Sequence, residues 1–494
     1  MRLNRVTRST VIDAPIDRVW AVLRDFNSHV HWHPVVAESF IEDGLTADQV
    51  GCVRNFTLAD GNALREQLIA LSDQDYVSTY CILDTTIPLI NYVATVRLKP
   101  VTDGARTFWH WESTFATPPG RERELTEQVG RNVYEAGFEA LRAHLHAAKD
   151  LLGSTRVAPA ARGAGASLAG TAVVLGARGG AENLKTVSIE APPPGPGEVR
   201  LRQTAIGVNY IDIYTRTGQY ATLLEVGGVP GFEAAGTVID VGPGVTHLAP
   251  GDRAAYASLP AGAYASVRTM AAAEVVRLPD HISDELGAAL MLKGMTAEYC
   301  LFRLHRVARG ETVLVHAAAG ALGLLTAQWA KALGATVIGV VGSDAKAQVA
   351  RDSCDHVIVA QGGRFADGVL EATQGRGADL VIDGLGEGAR EENLRAIVAT
   401  GHWISVGAAG GAWRPIDPAW LAAKSVTLSR PVIFHFIMGP QNAARLRQMS
   451  ERVFDAVKAG VLRPRIARYA LAAAADAHRD LEGRRTIGQI VLTT

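Results

Sequence analysis

Three textures of apolar and polar positions follow one another along this chain. Residues 5–12 alternate as a strand, and "DAPIDRVWAVLRDF" then places Ile16, Val19, Trp20 and Leu23 at helical spacing, with Asp13 as a possible N-cap and Pro15 in the first turn. Several strand-like runs come next. They are punctuated by "ADGN" at 59–62 and "TDGA" at 102–105, where Asp-Gly supplies the positive backbone angles of tight hairpins. Residues 121–152 close this part with Leu125, Val129, Val133, Ala136, Ala140 and Leu145 along one face of a long helix. The order is strand, helix, antiparallel meander, long helix.

The period then vanishes. Residues 154–170, "STRVAPAARGAGASLAG", carry small residues, one proline and no acid, so neither a helix nor a strand can be laid on them, and they read as a flexible linker. From Thr171 short strands return between Gly and Pro turns, as in "APPPGPGEVRLRQTAIGVNY", which predicts a β-rich, partly closed fold. Beyond about Ala297 strands and helices alternate strictly, from "ETVLVHAAAGALGLLTAQWAKAL" through "ATVIGVV", "DHVIVA" and "ADLVIDGLG" to "HWISVGA". This is βαβ spacing and predicts a Rossmann-type parallel sheet.

Charge narrows the partners. The 494 residues carry a formal net charge of -1, with 15 basic against 20 acidic side chains up to residue 150 and 34 against 30 beyond. Neither part has the basic excess that nucleic-acid binding needs. The N-terminus has no apolar core of a signal sequence, no run of eighteen apolar residues occurs, and the reading is a cytoplasmic protein without membrane or nucleic-acid partners. Cys52, Cys81, Cys300 and Cys354 lie far apart without a C-x-x-C pair, which argues against a disulfide framework or a cysteine-based zinc site.

The turn "HAAAGALG" is the chemical centre. Its residues Ala319, Gly320, Leu322 and Gly323 stand at a strand-to-helix junction, where Gly320 and Gly323 let the backbone approach a pyrophosphate at the helix N-terminus. An NAD site calls for a carboxylate at the end of the next strand. Here that end is Val340, Val341 and Gly342, with Ser343 and Lys346 able to meet a 2′-phosphate, so NADPH is the cofactor expected, Asp344 being the feature against it. In the first module "HVHWHP" alternates His29, His31 and His33, but at a helix-to-loop passage such spacing does not align metal ligands. Arg54 and Glu66, on the two arms of the "ADGN" hairpin, read as a solvent-exposed cross-strand pair, with pocket groups as the alternative. "TFWHWESTF" sets Trp109, Trp111 and Phe115 on one face, as cavity lining or as core, and His110 and Glu112 on the other.

Two resemblances follow. "APIDRVWAVLRDFNSHVHWHP" and "GCVRNFTLADGNALREQLIAL" resemble the START-like helix-grip (SRPBCC) superfamily, in particular its polyketide cyclase-like members, which implies an α+β domain over 1–152 with an apolar ligand cavity. "IGVNYIDIYTRTGQY", "GFEAAGTVIDVGPGV", "LKGMTAEY", the "HAAAGALG" turn and the terminal "AHRDLEGRRTIGQIVL" resemble the zinc-free, zeta-crystallin-like quinone oxidoreductases of the medium-chain dehydrogenase/reductase superfamily. That resemblance implies a GroES-like substrate domain at 171–296 and 430–494 and a Rossmann domain at 297–429, joined to the first domain by a linker at 153–170. It implies no catalytic zinc, because Asn209 and Phe232 stand where zinc-dependent relatives carry a cysteine and a histidine. Asn209, Tyr214 and Tyr220 would face the substrate and nicotinamide, Lys293 and Thr296 would flank the cofactor, Gly407 would lie near the nicotinamide, and Ser343, Lys346 and Arg484 around the adenosine phosphate. The acceptor would be a small hydrophobic or aromatic molecule, a quinone or an activated, polyketide-like alkene, delivered by the first domain. The remaining alternative is a sensor whose reductase part does not turn over. A homodimer through the strand near "SVTLSRPVIF" is also implied.

Overall fold

The computed structural model describes residues 3–102, 106–153, 165–360, 362–411, 413–414, 421 and 424–494. The hairpin expected at 102–105 and most of the linker, 154–164, lie outside these. The chain forms two compact units, the first comprising the N-terminal module with residues 399–405 and 417–432, the second the remainder.

In the first unit, β1 (Asn4–Ile12) leads into α1 (Ile16–Leu23) and the short α2 (His29–Trp32), followed by β2 (Val36–Ile41), β3 (Val53–Leu58), β4 (Ala63–Ser72), β5 (Val77–Thr85), β6 (Ile90–Pro100) and β7 (Thr107–Ala116). The strands pair antiparallel in the order β1-β7-β6-β5-β4, with β3 and β2 continuing from the first half of β4. Pro15, rather than Asp13, is the residue preceding α1. Alternation in β7 buries Trp109, Trp111 and Phe115 and turns Phe108 and Thr114 outward, so the tryptophans join the hydrophobic core.

The long helix departs from its predicted stripe. It runs as α3 (Glu122–Glu127), a π-helical stretch at Gln128–Glu135, and α4 (Ala136–Gly153). The wider turns shift the buried face by one residue, from Leu125 and Val129 to Tyr134, Phe138, Leu141 and Leu145, in place of the expected Val133, Ala136 and Ala140. A 3.6-residue period cannot anticipate that slip.

The second unit starts with β8 (Leu168–Leu175), so Leu168, Ala169 and Gly170, read as linker, are strand. β8 pairs with β9 (Leu184–Ala191). β10 (Glu198–Val208) then leads to α5 (Tyr210–Thr217), and β11 (Glu233–Val241), β12 (Arg253–Ala257), β13 (Val267–Ala271) and β14 (Val275–Arg277) precede α6 (Asp284–Glu298). The dinucleotide-type segment comprises β15 (Thr312–His316), α7 (Ala321–Ala332), β16 (Thr336–Val341), α8 (Asp344–Ala350), β17 (His356–Val359), α9 (Ala366–Ala372), β18 (Ala378–Asp383) and α10 (Arg390–Ala396). After β19 (Ile397–Ser405) and β20 (Thr427–Arg430) come α11 (Ile433–Ile437), α12 (Ala443–Lys458), β21 (Ile466–Ala470), α13 (Ala474–Glu482) and β22 (Gln489–Thr493).

β10 is the hub of the β-rich layer, pairing with β11, β13 and β22, and β21 runs parallel to β22. In the α/β part β17, β16, β15 and β18 are parallel neighbours. Every residue of β15 is buried, as a strand covered by helices on both faces requires. Chain order reverses across β15, with β16 on one side and β18 on the other, so its C-terminal end is the crevice where such sheets bind ligands. No helix among the described residues is long and apolar enough to cross a membrane.

Candidate functional site

At the crevice Ala317 adopts φ 48° and the chain turns from β15 into α7, with Gly320 as N-cap. The Gly320 N–H donates to the Ala317 carbonyl at 2.7 Å, and the Gly488 N–H donates to the Ala319 carbonyl at 2.9 Å, tying the C-terminal segment to the turn. A Cβ on Gly323 would overlap the Ala317 carbonyl oxygen and lie 2.8 Å from that of His316. Only glycine lets α7 start so close to β15. The twelve-residue α7 points its free N–H groups and positive dipole end at this turn, the arrangement that holds a pyrophosphate.

At the end of β16, Ser343 caps α8 by accepting the Lys346 N–H. The Lys346 ammonium donates to the Arg484 carbonyl at 2.7 Å, and burial, then the nearby Arg484 charge, lower its pKa. Among the described residues neither cation has a carboxylate partner, and two such cations held together form a site that an anion relieves. Asp344 is exposed in the first turn of α8.

Ahead of α5 lies a buried polar knot. The Asn209 amide donates to Glu233 Oε1 at 2.9 Å and to the Gly207 carbonyl at 3.3 Å, while its oxygen accepts from the Lys293 ammonium. Lys293 also donates to Glu233 Oε1 at 2.7 Å and to the Val208 carbonyl at 3.3 Å. Glu233, fully buried, accepts the Leu292 N–H at 2.6 Å. Lys293 therefore fixes Asn209, and both amide hydrogens of Asn209 are spent inside the protein. The Thr296 hydroxyl bonds its own helix, at the Leu292 carbonyl. Tyr214 is placed differently: its oxygen accepts the Ala408 N–H at 3.0 Å, next to Gly407, which leaves the hydroxyl hydrogen to donate. Tyr220 packs edge-to-face on Tyr214 at 5.3 Å, and Tyr210, for which the sequence suggests no role, lies tilted against Tyr214 at 5.9 Å.

Behind α5 runs a second chain of contacts. The Arg216 Nε–H donates to His478 Nδ1 at 3.3 Å, so the imidazole carries its proton on Nε2 and donates to the Tyr264 oxygen at 2.9 Å. Tyr264 in turn donates to Asp212 Oδ2 at 2.9 Å, which also accepts the Asn209 N–H at 2.8 Å. Asp212 is the N3 residue of the capping box that starts α5. The Asn-x-x-Asp spacing signals that cap in the sequence, but Tyr264 and His478 are too distant in the chain to be paired with it. Burial pushes Asp212 up to about 7 against the Asn209 and Tyr264 hydrogen bonds, and burial, then Arg216, holds His478 neutral, down to about 3. A carboxyl raised from 3.8 to about 7 favours folding fully below pH 3.8 and loses that contribution as pH rises through 7. The stability of the wild type relative to Asp212→Asn therefore declines between pH 4.5 and 7.5 in chemical denaturation; a constant difference would refute it.

The N-terminal module has its own buried cluster. Arg54 and Glu66 are direct cross-strand partners, but at 3% and 5% exposure their ion pair lies in the core and not in solvent, which corrects the sequence reading. Arg54 also donates to the Phe26 carbonyl and to His29 Nδ1, both at 2.6 Å, and lies 4.3 Å over the Phe26 ring. Burial, then Arg54, pushes His29 well down, and burial raises Glu66 against the Arg54 charge. A guanidinium on His29, with the His33 Nε2 at 3.0 Å from the Val133 carbonyl, does not fit a metal. Around the pair Trp111 donates to Tyr80 at 3.1 Å, and the Tyr92 and Tyr134 hydroxyls meet at 2.8 Å. Alternation along β3 hides these residues as readily as it would expose them.

Residues 4–146 match the family described as polyketide cyclase/dehydrase and lipid transport, 195–311 the alcohol dehydrogenase GroES-like domain, and 353–492 the zinc-binding dehydrogenases. A 2-haloacrylate reductase of Burkholderia sp is 41% identical over 65% of this chain and 98% of its own length. A quinone oxidoreductase of Pseudomonas aeruginosa is 40% identical over 65% and 98%. The crystal structure of Escherichia coli quinone oxidoreductase complexed with NADPH superposes with a TM-score of 0.63 at 35% identity, covering 66% of this chain and all of that one. The zinc of one family description does not fit the residues here. Phe232 is fully buried, and Glu233 and the Asn209 oxygen are already bound to the Lys293 ammonium.

Proposed function

The chain belongs, over 65% of its length, to the zinc-free quinone oxidoreductases of the medium-chain dehydrogenase/reductase superfamily, and on that premise we propose that it is an NADPH-dependent reductase of quinones. The observation that carries the cofactor reading is the Lys346 and Arg484 pair at the end of β16, beside a turn closed to any side chain at Gly323. When bound, NADPH supplies a hydride. The α7 N-terminus receives the pyrophosphate, and Lys346, Arg484 and Ser343 receive the 2′-phosphate. Asn209, locked by Lys293 and Glu233, shapes the floor under the acceptor. Tyr214, its oxygen held by the Ala408 N–H, directs its hydroxyl hydrogen to the oxygen that becomes the phenolate, replacing the charge a metal would give. Orientation, desolvation and one hydrogen bond suffice for so good an acceptor.

The cofactor assignment has a direct check. Lys346→Ala removes one charge-assisted contact and raises the KM for NADPH by roughly 10- to 100-fold, with KM for NADH unchanged. Equal effects on both would place the 2′-phosphate elsewhere.

The N-terminal module supplies a polar and aromatic interior for a bulky acceptor, and the tether raises that acceptor's local concentration. Arg54→Gln then raises KM for a polycyclic quinone several-fold and leaves that for benzoquinone unchanged, whereas parallel changes would detach the module from substrate selection. A second reading, reduction of an activated alkene, is favoured by the 41% identity to a 2-haloacrylate reductase. Following reduced-nicotinamide absorbance with NADPH or NADH against quinones, enones and 2-haloacrylates decides between them. No consumption with any acceptor despite NADPH binding would leave a ligand-binding sensor. The reading places the enzyme in the cytoplasm. A homodimer through β20 would have to displace its pairing with β4.

A further inference from the structure

Strand β20 lies within the first compact unit, and both of its edges are occupied. On one side it runs parallel to β19, with Trp403 opposite Leu428 and Ile404 opposite Ser429. On the other it runs parallel to β4, with Leu428 opposite Ala70, Ser429 opposite Leu71 and Arg430 opposite Ser72. β3 pairs with β4 only from Ala63 to Gln67, so the end of β4 is open to take this strand.

Three residue pairs hold two strands weakly, and the side chains around them make the contact specific. The Asp73 N–H donates to the Arg430 carbonyl at 3.0 Å, and the Val432 N–H returns to Asp73 Oδ2 at 3.2 Å. Arg430, 6% exposed, donates to Gln74 at 2.9 Å and Ser72 at 3.4 Å and forms an ion pair with Asp75. Asp73, 2% exposed, is fixed from behind by the Trp20 indole N–H at 2.7 Å and Arg24 at 3.0 Å, and Arg24 pairs with Asp48 at 3.0 Å. Buried charges are tolerated only when paired and hydrogen-bonded; Asp73 has Arg24 within its own module, whereas Arg430 takes its carboxylate, Asp75, from the other segment. The parallel pairing, the Asp73-to-Arg430 backbone bond and the Arg430–Asp75 ion pair agree on one register.

An uncovered strand edge is a template for a second chain, and proteins cover such edges or charge them. We propose that residues 72–75 of the N-terminal module are a built-in cover for the edge of β20, taking the place that a second copy of this chain would otherwise pair with and so keeping the protein monomeric. The inference does not depend on which acceptor is reduced. Arg430 is the lock, because its side chain reaches three polar residues of the cover, Ser72, Gln74 and Asp75.

Light scattering and hydrogen exchange on the full-length protein test it. The expected wild-type result is a 52.4 kDa particle at every concentration, with slow exchange at the Asp73 and Val432 amides. Arg430→Glu, facing Asp75, exposes both amides and converts the particle to a dimer; Arg430→Glu with Asp75→Arg restores monomer and protection. A dimeric wild type overturns the proposal, as does an Arg430→Glu protein that keeps its protection or stays monomeric once protection is lost. Fast exchange of the Asp73 amide in the unmodified chain overturns it whether or not the variants fold.

Discussion

Gly323→Ala abolishes NADPH binding while Gly342→Ala, one strand further on, leaves it intact. The added methyl at Gly323 meets the Ala317 and His316 carbonyl oxygens, which are backbone and cannot turn aside, whereas nothing lies within 4 Å of a Cβ on Gly342. Relief requires α7 to move off β15, and with it the N–H groups that hold the pyrophosphate. Overpacking of this kind costs about 1–3 kcal/mol of stability. The loss of cofactor affinity, at least ~100-fold, is worth about 2.7 kcal/mol. Fluorescence titration with NADPH and thermal unfolding measure the two effects separately. Binding within a few-fold of wild type would mean that the turn does not hold the phosphates.

Lys293→Met has the second large effect, and it falls on stability and turnover together. The substitution leaves Glu233 fully buried with only N–H donors for partners, and removing one member of a buried pair costs about 3–5 kcal/mol. Adding Glu233→Gln recovers most of that stability, because the carboxamide is neutral and still accepts the Leu292 N–H. Turnover is not recovered, since the Asn209 oxygen has lost the ammonium that fixes it. Urea denaturation and kcat of the single and double variants separate the two roles. A double variant as unstable as the single would show that Lys293 contributes by packing rather than by charge.

The path from sequence to site was open where residues act through neighbours in the chain. Ala319, Gly320, Leu322 and Gly323 lie in one turn, and Ser343 and Lys346 in the cap of the next helix, so local spacing and the predicted βαβ context placed them. It was closed where the partner is remote. The resemblance implies a place for Lys293 beside the cofactor; that its ammonium is held by Val208, Asn209 and Glu233, up to 85 residues earlier, is not readable from spacing. Asp212 and Arg216 share α5, but Tyr264 and His478, which join them in one chain of hydrogen bonds, come from a loop and a helix that no spacing links to it. Arg54 and Glu66 were paired correctly by the hairpin, but whether the pair faced water depended on which face of β3 the helices cover.

What this sequence determined by itself is most of its elements, the order of its modules and the strand-turn-helix that carries Gly320 and Gly323. Periodicity, turn residues and helix caps are local, and a local energy needs only neighbouring residues to be read. The tertiary structure alone decided that the π-helical stretch moves the buried face of the long helix by one residue, that Lys293 belongs to Asn209, and that β4 covers the edge of β20. Each of these depends on desolvation and hydrogen bonding between segments far apart in the chain. The free energy of a charge such as Arg430 or Glu233 is set by what closes over it, and that is known only when the fold is complete.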